Sequence, residues 1–198
     1  MSAPESATAP GFADPVDDAQ QVFRRLLDAF AHPGRIVSLP TTLTPPAGLW
    51  PSTAALALTL LDHSTPVFLD PALASESILA YLRFHSGAPV AATPGSASFA
   101  LVGDPSALDL AAFPPGEAER PERSATVIVQ VAGFDGPAAV HLTGPGIKKS
   151  TALAVAGIGA ALWRQWRANG ALYPCGVDLV LAAPTAAVAL PRSVRVEI

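Results

Sequence analysis

The chain has 198 residues, half of them hydrophobic and only 14% charged, with a net charge of −4. Soluble domains average about 25% charged residues, so this chain can bury a large core and has little charge with which to cover apolar surface. The acidic balance excludes a general nucleic-acid binder, the single cysteine excludes an internal disulfide, and no apolar run reaches the roughly 18 residues of a membrane span.

Residues 1–10, MSAPESATAP, lack the basic and apolar regions of a signal peptide. They read as a leader before one domain over 11–198, and a cytoplasmic protein is the simplest account of the single thiol. The strongest element follows at once. Asp14 is a good N-cap, Pro15 suits the first helical position, and Asp17 and Asp18 place negative charge in the first turn. His32-Pro33-Gly34 stops the helix. At 100° per residue, Val16, Ala19, Phe23, Leu26, Leu27 and Phe30 share a stripe of about 100°, which is the expected buried face. Gln20 and Arg24 stack on one flank of it, and Asp28 continues the row. That row is either a solvated flank with an ordinary Arg–Asp pair or a polar edge offered to a partner or ligand.

Further along, Arg35–Leu39 is a short strand and 41–48 a Pro-rich connection. Ser52 or Thr53 caps an apolar second helix to about Leu61, and Pro66–Leu69 is a strand. Ser75 caps a third helix that His85-Ser86-Gly87 closes. Ser98–Val102 is a strand, Asp109–Phe113 a single helical turn, and Pro114–Glu122 an exposed loop. Ser124–Val131 is the strongest strand, rich in β-branched residues. Residues 138–143 and Leu153–Val155 read as strands, Gly159–Ala168 as a helix ended by Asn169-Gly170, and Val177–Ala182, Val188–Leu190 and 194–198 as strands. Alternating helices and short apolar strands predict an α/β domain with helices on both faces of the sheet. The last strands are joined by turns too short for a parallel crossover, so the sheet should be mixed.

Chemistry-bearing patterns are sparse. His32, His63, His85 and His141 have no partner at metal-ligand spacing, no G-x-S-x-G elbow exists, and Cys175 sits in a loop as a default inert thiol. The most phosphate-like stretch is Gly144-Pro-Gly-Ile-Lys-Lys-Ser-Thr151. It is not a P-loop, because Ile147 precedes the lysines and Pro145 removes an amide donor. It is either a tight structural turn or an anion-binding nest. Lys148 and Lys149 are the only lysines, and two adjacent hydrated amines are poor candidates for a pyridoxal phosphate Schiff base, so no cofactor is expected.

Several short motifs recur in order along the chain. They are Asp14-Pro15-Val16 with Ala19-Gln20, Phe23-Arg24 and Pro33-Gly34; Leu82-Arg83-Phe84-His85 with Gly87-Ala88-Pro89; Pro121-Glu122 with Ser124-Ala125-Thr126; Gly144-Pro145-Gly146-Ile147; Tyr173-Pro174 with Gly176-Val177-Asp178; and Leu190-Pro191-Arg192. Together they resemble the H subunit of the bacterial carbon–phosphorus lyase system, the PhnH family. Ser193 stands where that family usually has threonine, and Cys175 where it has an aliphatic residue. The Lys148-Lys149 pair is not a family feature.

The resemblance implies a three-layer α/β/α sandwich with a mixed sheet, similar to the large domain of pyridoxal-phosphate-dependent transferases but without that cofactor. It implies a homodimer that joins the G, I and J subunits, with the L subunit acting alongside, and no nucleic acid or membrane partner. It implies an accessory role in forming ribose 1-methylphosphonate 5-triphosphate from a nucleoside triphosphate and a phosphonate, and no catalytic residue is carried over. Candidate partner- or ligand-binding residues are Asp14, Gln20, Arg24, Gly144, Gly146 and Arg192, with no metal ligands. The alternative is a stand-alone transferase that uses the Gly144–Thr151 turn to bind a phosphorylated ligand.

Overall fold

The computed structural model describes residues 8–39, 42–137 and 139–197. Most of the expected leader and the first residue of the expected 138–143 strand lie outside them. Ala9 and Pro10 lie within them, where their carbonyls accept hydrogen bonds from His85 Nε2 (2.9 Å) and the Tyr81 hydroxyl (3.5 Å).

A six-stranded sheet forms the middle layer. Its strands are β1 (Val37–Ser38), β2 (Val67–Leu69), β3 (Phe99–Val102), β4 (Thr126–Gln130), β7 (Asp178–Ala183) and β8 (Ala186–Leu190), in the order β1-β8-β7-β4-β3-β2. Strands β2, β3, β4 and β7 run parallel, while β8 is antiparallel to both its neighbours. The mixed sheet follows from the tight β7–β8 hairpin, which leaves no length for a crossover.

Alternation along the strands feeds two cores. Leu101, Ile128 and Val180 face α1 (Pro15–Ala31), α2 (Pro51–Leu60) and α3 (Glu76–Ser86). Val127, Val129, Leu179 and Leu181 face the other way, into a core shared with α4 (Ala160–Gly170) and the one-turn helices near Leu108 and Leu110. Helices alone do not cover this second face. A separate antiparallel sheet of β5 (Ala139–Thr143), β6 (Thr151–Ala154) and β9 (Arg195–Glu197) lies there, turning Val140, Leu142, Leu153 and Val196 inward. The expected α/β/α layering therefore holds on one side, while the other outer layer is one helix beside a small sheet.

The helix ends follow their caps. The Asp14 carboxylate accepts from the N–H of Val16 and Asp17, at 3.1 Å each. Ser75 Oγ accepts from the Ile78 N–H, and Gly87 closes α3 in the left-handed region at φ 68°. The start of α2 differs from expectation. Ser52 and Thr53 lie inside the helix and are fully buried, and the Ser52 hydroxyl donates to the Ala183 carbonyl instead of capping. Pro51 at the first position needs no N–H partner. Asn169 was expected to end α4, but it sits buried within the helix. Its amide donates to the Val177 carbonyl and accepts from the Val177 N–H, clamping α4 to the start of β7.

The largest correction concerns α1. Its buried residues are Val22, Leu26 and Ala29, whereas Val16, Phe23 and Leu27 are 75%, 44% and 51% exposed. Small Ala29 lets the helix sit close to α2 and β8, so the core takes the Val22 side of the apolar arc. Asp28 pairs with Arg35 (Nη1–Oδ1 3.2 Å) and His32, not with Arg24.

Candidate functional site

The Pro191 carbonyl accepts from the Val194 N–H at 2.8 Å, a turn that swings the chain off β8 and into β9. There Arg195 becomes the register partner of Thr143, the last residue of β5. Gly144 follows at φ 140°, a value that favours glycine, and a Cβ there would sit only 3.0 Å from the Ser193 carbonyl oxygen. The end of α4 at Gly170 and the exposed ring of Tyr173 complete an open cleft of about 420 Å³, into which Arg192, Ser193 and Pro145 also project.

Arg192 is anchored at the back. Its Nε donates to Asp178 Oδ1 at 3.1 Å, its Nη2 to Oδ2, and its Nη1 to the Pro121 carbonyl at 2.6 Å. The Arg192 backbone N–H adds a 2.8 Å bond to Asp178 Oδ1. Both side chains are four-fifths or more buried. This is a bidentate, charge-assisted pair that fixes the plane of the guanidinium. Arg195, by contrast, is exposed, and among the described residues its guanidinium has no hydrogen-bond or ion-pair partner. A second hollow continues past it along β9 between Arg167 and Glu197.

The six candidate residues fall in two places. Gly144 and Arg192, 48 positions apart, line the same cleft. Gly146 shares the turn but faces the end of α1. At φ 82° its missing side chain leaves room for the Ala31 carbonyl, and a Cβ would collide with it. Gly146→Ala should therefore cost about 1–3 kcal/mol and lower the melting temperature by about 2–12 °C in a thermal melt. An unchanged melt would contradict that close approach. Asp14 is occupied as the cap of α1, and Gln20 and Arg24 lie exposed on that helix, outside the cleft. Lys148 and Lys149 are exposed and do not line the cleft either.

Sequence reasoning missed Thr143, Tyr173, Ser193 and Arg195. The one available signal was the alternation Arg195-Val196-Glu197, which turns Arg195 outward three residues after Arg192. The groups whose protonation is shifted lie elsewhere. Hydrogen bonds from Ser64 hold the Asp62 carboxyl below its ordinary value, those from Ser106 do the same for Asp104, and burial pushes the Tyr81 hydroxyl up.

Comparison with known proteins gives this geometry its context. The family model described as bacterial phosphonate metabolism protein (PhnH) matches residues 10–197. The chain belongs to the PhnH family. It is 41% identical over 198 residues to the alpha-D-ribose 1-methylphosphonate 5-triphosphate synthase subunit PhnH of Rhizobium meliloti (strain 1021), covering 100% of this chain and 99% of that one. It is 35% identical over 181 residues to HtxG of Stutzerimonas stutzeri, whose name places it with C-P lyase subunits, covering 90% and 86% respectively. Three of the PhnH-like stretches, around Pro121, Gly176–Asp178 and Leu190–Arg192, meet at the Arg192 anchor. These separate motifs are thus parts of one structural unit beneath the cleft.

Proposed function

We propose that the chain is a non-catalytic, accessory subunit of a carbon–phosphorus lyase assembly in organic phosphonate breakdown. In this role it takes part in joining a phosphonate to the ribose of a nucleoside triphosphate. The observation that carries this is the end-to-end 41% identity to a protein named as such a synthase subunit. A homodimer, the G, I and J subunits as partners with L acting alongside, a cytoplasmic location, and a fold like the pyridoxal-dependent transferases without their cofactor all belong to the same reading. Two exposed lysines, neither buried as a Schiff-base amine must be, agree with the last point.

The exposed face of α1 supports a subunit role. Val16, Phe23 and Leu27 form an apolar seam bordered by Gln20 and Arg24, and none of the described residues covers it. Because Arg24 makes no hydrogen bond or ion pair among the described residues, Arg24→Ala should leave the melting temperature of the isolated chain within about 2 °C. Leu27→Glu should do the same. Both should weaken capture by the cognate G, I and J subunits in a tagged pull-down. Undiminished capture of both variants would remove α1 from the interface.

A further inference from the structure

We propose that the cleft between β5, β9 and the end of α4 is a binding site for the phosphate or phosphonate head of a small ligand, with Arg195 as the residue that contacts it. The inference rests on the cleft's own chemistry; only the choice of a phosphonate as probe rests on the function proposed above.

Among the described residues no carboxylate lines the cleft. Asp178 is consumed from behind by Arg192, while Glu197 lines the neighbouring hollow, which Arg195 also borders. Among the described residues, two arginines therefore line a space with no carboxylate in its wall. Arg192 spends three of its five N–H groups on Asp178 and Pro121, which leaves two by count. Arg195 spends none. Its planar fork matches the paired oxygens of a phosphate or phosphonate better than a lysine ammonium would.

Three hydroxyl-bearing residues, Thr143, Ser193 and Tyr173, line the same cleft. A tetrahedral dianion needs such supplementary donors to fill the lone pairs that the arginines do not reach. The volume of about 420 Å³ is larger than one such group needs and falls in the range of small-molecule sites, so the cleft also has room for part of the organic body. The site is rigid where it must be. Arg192 is fixed by its bidentate pair, and Arg195 sits on a strand between Val194 and Val196, both buried. Of the 144–151 turn, which looks most phosphate-like in sequence, only Gly144 and Pro145 line the cleft, and the lysine-bearing half does not.

The test is calorimetric titration of the full chain with inorganic pyrophosphate and, separately, methylphosphonate, with acetate as a carboxylate control. At least one phosphorus probe should bind with a dissociation constant of about 1 mM or tighter and acetate should not. Which probe binds more tightly distinguishes a phosphate from a phosphonate ligand. Arg195→Ala should weaken binding at least about tenfold, the loss of a charge-assisted pair of hydrogen bonds. Arg195→Lys should recover only part, and Lys148→Ala/Lys149→Ala should stay within about twofold, because those amines lie outside the cleft. Because the Arg195 guanidinium has no partner among the described residues, thermal melts of its variants should match the parent. Absence of binding by both probes, or binding that Arg195→Ala leaves intact, overturns the proposal. A chain that assembles with its partner subunits yet binds neither probe loses this site and keeps its role as a subunit.

Discussion

Replacing Trp166 with alanine should lower the melting temperature by roughly 6–20 °C, because emptying a fully buried Trp site costs about 3–5 kcal/mol in a domain of this size. Trp166 is completely buried in the second core, and its indole N–H donates to the Val194 carbonyl at 3.1 Å. One side chain thus joins α4 to the chain as it enters β9, one residue before Arg195. Trp166→Phe separates the two contributions. It keeps most of the apolar contact but leaves the Val194 carbonyl unpaired, for about 1–2 kcal/mol or roughly 2–8 °C. Alanine should also loosen β9 and weaken any anion bound at Arg195. Equal melting temperatures for the two variants would mean that the ring fills no tightly packed site.

Removing Arg192 is the second large effect. Arg192→Ala strands the mostly buried Asp178 carboxylate and frees the Pro121 carbonyl. A fully buried pair broken this way costs about 3–5 kcal/mol; the remaining exposure of both side chains brings the expectation to about 2–3 kcal/mol, or roughly 4–12 °C. Arg192→Lys should recover less than half, since an ammonium cannot bond Asp178 in a bidentate manner while also reaching Pro121. In the double variant Arg192→Ala/Asp178→Ala the losses should be less than additive, because no charge is then left unpaired. Strict additivity would show that the pair is not a unit and that the three PhnH-like stretches converge without supporting one another.

Local signals were legible wherever a single residue decides a backbone state. Asp14 and Ser75 cap their helices, Gly87 ends α3 in the left-handed region, and Asp109 opens a one-turn helix. The β-branched run at 124–131 became β4, and the apolar run at 177–182 became β7. What failed were choices between equivalent surfaces. The apolar arc of α1 runs from Val22 round to Leu27, and periodicity cannot say which side of so wide an arc the core takes. Packing at Ala29 decided it, and a small side chain contributes almost nothing to a hydrophobic pattern. Alternation likewise marks Arg195–Glu197 as a strand without saying that it leaves the main sheet to pair with β5.

The same division holds for the site. The motifs around Gly144 and Arg192 could be read in the sequence, yet only the fold brings them to one cleft. Lys148 and Lys149 drew attention through their charge and lie outside it. Arg195 had no motif to announce it, because its significance comes from standing beside Thr143 with no side-chain partner among the described residues. Asp28 was paired in sequence with the wrong arginine, since Arg35 reaches it only after the chain has turned at His32–Gly34.

The central claim, that this chain works as a subunit, is tested most directly by co-purification. The tagged chain is expressed with its cognate G, I and J subunits, and the mass of the product is measured by size-exclusion chromatography with light scattering. The expected product is one stoichiometric particle containing all four chains, with synthesis of ribose 1-methylphosphonate 5-triphosphate, in the presence of the L subunit, dependent on this chain. A tagged chain that elutes alone while the other three assemble and remain active without it would contradict the account.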